Sequence, residues 1–185
     1  DTTHPTMPGN WGMGFSSSNR VTQWGEGAKY SYIYYEGCRA WKCSDYGFAG
    51  GPVEGYIEWN NCWSFKHGDF HFEGMTSEGV GWKQGGLSTS IEWSIDPCRV
   101  MRNCIAAENG NYGIGENNGG FLGYNMRSYN NTSYHNGYLG RPIDDLHPTW
   151  GVGFKFEGWV GDTSIIHNVY RNNISFNNRY YYTSG

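Results

Sequence analysis

The chain has 185 residues, a formal net charge of −4 and 16% charged residues. That is long enough for one domain with its own core and too weakly basic for a nucleic-acid face, which needs concentrated Lys and Arg. No run approaches the roughly 20 apolar residues that cross a bilayer, and no leader pattern opens the chain, which reads as mature or as a fragment. Twenty-nine glycines, 18% aromatics and 18 asparagines disfavour helices and favour turns and strands. Nine Trp and fifteen Tyr spread along the chain suit a packed β protein and not disorder.

In chain order, the elements form a repeat, the feature to seek first because it decides the fold. Gly12-Met13-Gly14-Phe15 opens the series with glycine before a bulky apolar residue. Next come Gly37-Cys38-Arg39-Ala40-Trp41 and then Gly47-Phe48. Asn61-Cys62-Trp63-Ser64-Phe65 is followed by Gly81-Trp82, and Asn103-Cys104-Ile105-Ala106-Ala107 by Gly113-Ile114. Asn130-Asn131-Thr132-Ser133-Tyr134 leads to Gly153-Phe154, and Asn172-Asn173-Ile174-Ser175-Phe176 closes the series. In the five-residue marker the fourth position is always Ala or Ser, and the first is Asn in four of five. The marker recurs after 24, 42, 27 and 42 residues, while its distance to the glycine–apolar pair is 10, 20, 10 and 23. The extra length is therefore expected in one corner of alternate coils, around His67–Gly79 and Gly137–Gly151.

Such a pattern predicts an all-β, right-handed parallel β-helix, a solenoid of about five to seven coils with long corner loops. Coils stack about 4.8 Å apart, so equivalent residues form columns. The leading Asn of each marker is expected to hydrogen-bond along the stack and satisfy backbone groups at a bend, and the Ala/Ser column to admit a tight turn. Sequons at Asn130, Asn131 and Asn173 fall within these columns and read as structural. Residues 1–185 are expected to form a single domain, a fragment of a longer solenoid being an open reading. Tyr180-Tyr181-Tyr182 would leave an open edge inviting self-association or further coils. Five cysteines, Cys38, Cys43, Cys62, Cys98 and Cys104, form no CxxC pair and no zinc spacing. They are expected to be small buried thiols.

On these residues the chain resembles the family 9 polysaccharide lyases, pectate lyases built on a right-handed parallel β-helix. The resemblance spans Trp11 to Asn178. It is most specific at Arg39-Ala40-Trp41, Ser44-Asp45-Tyr46-Gly47-Phe48, Asn61-Cys62-Trp63-Ser64 and Gly81-Trp82-Lys83-Gln84-Gly85-Gly86. Asn117-Asn118-Gly119-Gly120 also matches. The resemblance implies β-elimination on a uronate polymer: a base takes the C5 proton beside the carboxylate and the C4 oxygen leaves. It implies Ca²⁺ on acidic side chains to neutralise that carboxylate and a neutral lysine as base. Lys83 stands where the catalytic lysine of the family stands. Of the acidic metal ligands Asp45 is retained, whereas Tyr46, Ala49 and Met13 stand at expected acidic positions. One carboxylate cannot hold Ca²⁺, so Asp45 reads as an empty remnant and no cofactor is expected.

Other candidates follow from the residues themselves. Lys155 follows Gly153-Phe154 as Lys83 follows Gly81-Trp82, which puts Lys83, Gly115 and Lys155 in one column, able to grip an anionic chain. Arg141 is a candidate carboxylate partner, and Trp82, Trp63, Trp150 and Trp159 are candidates to stack on sugar rings. His67-x-Asp69-x-His71 has the alternation of a metal-binding strand, with Glu73 and Glu78 beyond it. Asp144, Asp145 and His147 lie in the other long loop, beside Arg141. Solvated loop charges are the competing reading for both loops. The expected partner is an acidic polysaccharide, in an extracellular or cell-surface setting. Two readings follow: a non-catalytic or altered polysaccharide-binding β-helix, or a uronate lyase with Lys83 as base.

Overall fold

The computed structural model describes residues 12–17, 31–50, 55–68, 79–85, 99–115, 126–138, 151–155 and 168–179. Their fifteen strands wind into five coils of three. The first coil is β1 (Phe15–Ser17), β2 (Ser31–Glu36) and β3 (Arg39–Trp41), and the second is β4 (Tyr46–Gly50), β5 (Gly55–Asn60) and β6 (Trp63–Phe65). The third is β7 (Val80–Lys83), β8 (Arg99–Arg102) and β9 (Ile105–Ala107); the fourth is β10 (Ile114–Gly115), β11 (Met126–Tyr129) and β12 (Thr132–Tyr134). β13 (Phe154–Lys155), β14 (Val169–Arg171) and β15 (Ile174–Phe176) complete the fifth. Strands three apart in the chain pair in parallel: β1-β4-β7-β10-β13 form sheet A, β2-β5-β8-β11-β14 sheet B and β3-β6-β9-β12-β15 sheet C. This is the parallel β-helix that the repeat predicts. Among the described residues no helix is long and apolar enough to cross a membrane.

In-register pairing stacks like on like. In sheet A the inward column is Phe15, Phe48, Trp82, Ile114 and Phe154. Its rings stack nearly parallel, with centroids 4.9 Å apart for Phe15–Phe48 and 4.7 Å for Phe48–Trp82. In sheet B, Tyr35 stacks on Trp59 and Met101 follows. Removing these rings from water supplies the main drive for folding, about 25 cal/mol per Å² of apolar surface. Sheet C turns a small column inward, Ala40, Ser64, Ala106, Ser133 and Ser175. Ser64, Ala106 and Ser133 are fully buried, whereas Ser175 on the fifth coil is exposed. Opposite lie the glycines of the second marker: a Cβ on Gly113 would collide with Ser133 Oγ and crowd the Gly153 carbonyl. Ser133 Oγ donates to that carbonyl at 2.7 Å.

Sheet B always passes to sheet C through two residues: Gly37-Cys38, Asn61-Cys62, Asn103-Cys104, Asn130-Asn131 and Asn172-Asn173. The first of each pair has a left-handed backbone, with φ between 52° and 55° at the asparagines and 63° at Gly37. Asn tolerates that conformation better than other side chains. The leading asparagines thus set the backbone, and their exposed side chains bond along the outside of the stack, Asn130 Nδ2 to Asn103 Oδ1 at 3.5 Å and Asn103 Nδ2 to Asn60 Oδ1 at 3.1 Å; a buried ladder lies one residue later. Asn131 Oδ1 accepts from Cys104 N–H, and Asn173 Oδ1 from Asn131 N–H, both at 2.9 Å. A second ladder follows five residues on. Asn136 Oδ1 accepts from Asn109 N–H at 3.1 Å and Asn178 Oδ1 from Asn136 N–H at 3.0 Å.

Loop placement also differs from expectation. Segments 66–79 and 135–153 do leave the sheet C to sheet A corner of the second and fourth coils. The sheet A to sheet B corner takes comparable insertions at 18–30, 84–98, 116–125 and 156–168. The triple-Tyr segment lies outside the described residues.

The two kinds of asparagine separate experimentally. Asn130→Gly keeps the backbone conformation and is expected to change unfolding free energy by less than about 1 kcal/mol. Asn136→Gly strips a buried rung of its partners and is expected to cost about 2–3 kcal/mol in urea unfolding.

Candidate functional site

Both variable corners border sheet A, so its outer face is where loops and strands can jointly shape a site. That face carries two columns. Tyr46 pairs with Val80, and Gly81 and Gly113 N–H donate to Tyr112 O and Val152 O, which extends the column through those residues. The second column runs Ser16, Ala49, Lys83, Gly115 and Lys155. Tyr46, Ala49, Val80 and Tyr112 pack into a buried cluster against Val152, an apolar floor on the outside of the sheet.

Lys83 and Lys155 stand in register on this floor with Gly115 between them, two coil rises or about 10 Å apart. Lys83 is half-buried; its Nζ donates to Tyr46 Oη at 3.3 Å and lies 4.8 Å from the ring centroid. Lys155 Nζ stands 5.4 Å from the Tyr112 centroid. Gly115 is required here, because a Cβ would collide with the Tyr112 ring that leans over it. Each lysine is thus held over a tyrosine ring one coil earlier. The sequence reading missed these tyrosine partners of the lysines. Their signal was present in Tyr46-Gly47-Phe48 and Tyr112-Gly113-Ile114, both Tyr-Gly before an apolar residue, two coils apart.

The donor set does not fit Ca²⁺, which takes six to eight oxygens. Asp45 is buried, 1% exposed, and its backbone joins the stack: its N–H donates to Gly12 O at 3.0 Å, and its carbonyl accepts from Val80 N–H at 2.8 Å. Around it the face offers Tyr46, Ala49 and Val80, and Met13 aligns with Tyr46 in the register of β1. Among the described residues no three His, Cys, Asp or Glu side chains cluster to hold a metal.

Two sequence candidates move into the core. Trp82 is 0% exposed, stacked on Phe48, because its position in Gly81-Trp82 is the inward one; it offers no face to a sugar. His67 is not a loop ligand but a rung of the second ladder. Cys43 N–H donates to its Nδ1 at 3.0 Å, so Nε2 carries the proton and donates to Ser64 Oγ at 2.9 Å. Ser64 Oγ then donates to Gly81 O at 2.8 Å. Burial pulls its pKa from 6.5 down to about 4, so the ring stays neutral in the fold. Trp63 is 40% exposed on sheet C, with the Arg39 guanidinium 4.2 Å over its ring. Arg141, Trp150, Trp159, Asp69, His71, Glu73, Glu78, Asp144, Asp145 and His147 lie outside the described residues.

A family model described as "Pel9A-like, right handed beta helix region" matches residues 1–141. No curated protein and no solved structure matches the chain.

His67 generates a pH prediction. Below pH 6.5 the unfolded chain binds a proton that the folded ring refuses until about pH 4. Stability should therefore fall across that window, by about 3 kcal/mol from this residue. Asn is the residue of the neighbouring rungs and reproduces both bonds without titrating. His67→Asn is expected to flatten the difference in urea midpoint between pH 6.5 and pH 4, whereas an unchanged slope would assign the acid sensitivity elsewhere. Trp82→Ala is expected to cost about 3–5 kcal/mol of stability, read from the same unfolding curves.

Proposed function

From its membership of the Pel9A-like right-handed β-helix family, to which the chain belongs, we propose that the protein binds an acidic, uronate-type polysaccharide on the outer face of sheet A without the family's calcium-assisted elimination. The observation that supports this reading is the Lys83–Gly115–Lys155 column over the Tyr46 and Tyr112 rings. Two ammonium groups on one line, separated by a rung without a side chain, match carboxylates recurring along a polymer. Elimination asks for more: the carboxylate must be neutralised strongly enough to acidify C5–H, and a neutral base must face that carbon. The acidic set that would hold the neutralising metal is reduced to buried Asp45. A polysaccharide partner places the protein outside the cell or at its surface.

The second reading keeps Lys83 as base in an altered lyase; its fixed position beside Tyr46 Oη favours it. Arg141 would then be the substitute for calcium. One experiment separates the two. Polygalacturonate is offered with and without Ca²⁺, while retention on the polymer and ultraviolet absorbance of the unsaturated product are followed together. The expected result is salt-sensitive retention with no rise in absorbance, and retention about tenfold weaker for Lys83→Ala and for Lys155→Ala, about 1.4 kcal/mol each. Absorbance that rises with wild type and vanishes with Lys83→Ala would replace the binding reading by the lyase. Retention unaffected by either substitution would remove sheet A as the binding face.

A further inference from the structure

Three cysteines share one ladder column. Cys38, Cys62 and Cys104 hold the second corner position in the first three coils, where the fourth and fifth carry Asn131 and Asn173. Their spacing is set by the register that pairs Arg39 with Trp63 and Trp63 with Ile105. Trp63 N–H donates to Cys38 O at 2.9 Å and Ile105 N–H to Cys62 O at 3.0 Å. Successive Cα atoms are thus about 4.8 Å apart, inside the roughly 4.4–6.8 Å range that a disulfide spans. All three are free thiols, Cys38 partly exposed, Cys62 and Cys104 buried. The sulfurs lean back toward the preceding coil: Cys62 donates to Tyr35 O at 3.3 Å and Cys104 to Trp59 O at 3.6 Å.

Three thiols on successive in-register rungs, spaced so that a disulfide can join either adjacent pair, form the arrangement that thiol–disulfide exchange needs. We propose that this column is an oxidation site that accepts a small-molecule disulfide at Cys38 and forms a coil-to-coil bond between Cys38 and Cys62, transferable to Cys62–Cys104. The Cys38 thiolate attacks one sulfur of oxidised glutathione, the S–S bond breaks, and one glutathione thiolate leaves. The Cys62 thiolate then attacks Cys38 Sγ and expels the second. Two protein thiols lose two protons and two electrons, and one glutathione disulfide becomes two thiols. Attack by Cys104 on Cys62 Sγ moves the bond one rung and returns the Cys38 thiol, with no net redox change. Desolvation raises the thiols of Cys38 and Cys104, whereas that of Cys62 is drawn down to about 7 beside Cys104. Cys62 is the resolving nucleophile because its rung neighbours both of the others.

The test uses the full chain in mixtures of reduced and oxidised glutathione, with alkylation of remaining thiols, intact mass and peptide mapping. Wild type is expected to lose two hydrogens and to yield a Cys38–Cys62 peptide with a smaller share of Cys62–Cys104. Cys62→Ser is expected to leave Cys38 as a glutathione adduct, with cross-linking down at least about tenfold. Cys104→Ser should keep the first link and lose the second. Unfolding curves under reductant establish that each variant is folded, and the wild-type map is decisive without them. A wild type that stops at the Cys38 adduct, stays fully reduced, or links through Cys43 or Cys98 would overturn the proposal, as would a cross-link that persists in Cys62→Ser.

Discussion

Everything in this molecule rests on backbone N–H groups at the bends finding an acceptor on the next coil. A strand satisfies its own ladder by pairing, but a bend interrupts pairing, and a buried amide without a partner costs about 1–3 kcal/mol. The protein answers this with a left-handed residue followed by a side chain that reaches back one rung. Cys104 N–H to Asn131 Oδ1 and Asn109 N–H to Asn136 Oδ1 are two such bonds. The left-handed residue turns the chain, and the Asn or His67 side chain after it accepts the amide of the preceding rung. The Gly column exists because Ser64, Ser133 and the ladder side chains fill the space a Cβ would take.

That constraint also decides where function can sit. The sheet B to sheet C corner is two residues in all five coils, since a ladder fixes both its ends and insertion would break the column. Beyond the second ladder, and after sheet A, the chain length differs from coil to coil. Insertions therefore gather at the two corners beside sheet A, and that outer face becomes the one that loops can wall. On it the in-register stack turns a local spacing into a linear array: Lys83 and Lys155 align because Trp82, Ile114 and Phe154 beneath them align. The core sets the geometry in which the outer residues stand.

The repeat was legible because columns are periodic in sequence as well as in space. Glycine–apolar pairs, the Ala/Ser position and the shared column of Lys83, Gly115 and Lys155 all follow from one alignment of the chain with itself. The ladder was displaced by one residue because Asn recurs at the left-handed position, where it serves conformation, while the true rung varies among Cys and Asn. His67 was misplaced for a related reason: its neighbours Asp69 and His71 suggested a metal strand, yet Asn109, Asn136 and Asn178 at the same offset from Ala106, Ser133 and Ser175 mark it as a rung. Trp82 shows the limit of residue type as evidence, since an aromatic in an inward column is core whatever sugars it could stack on. Arg141 and Trp150 fall outside the described residues, in a stretch whose sequence carries no column to place them.

Acidic side chains stacked on such a face would have their own physical logic. Carboxylates on adjacent rungs stand about 5 Å apart, and like charges so close repel strongly unless a cation sits among them. A calcium site on a stacked face is therefore cooperative in composition: once one ligand is absent, the metal binds weakly and each remaining acid becomes a cost to the fold. Tyr46 and Ala49 carry no such repulsion and pack with Val80 and Tyr112. The Tyr46 ring lies 4.8 Å from Lys83 Nζ, so that this face holds a cation of the protein's own.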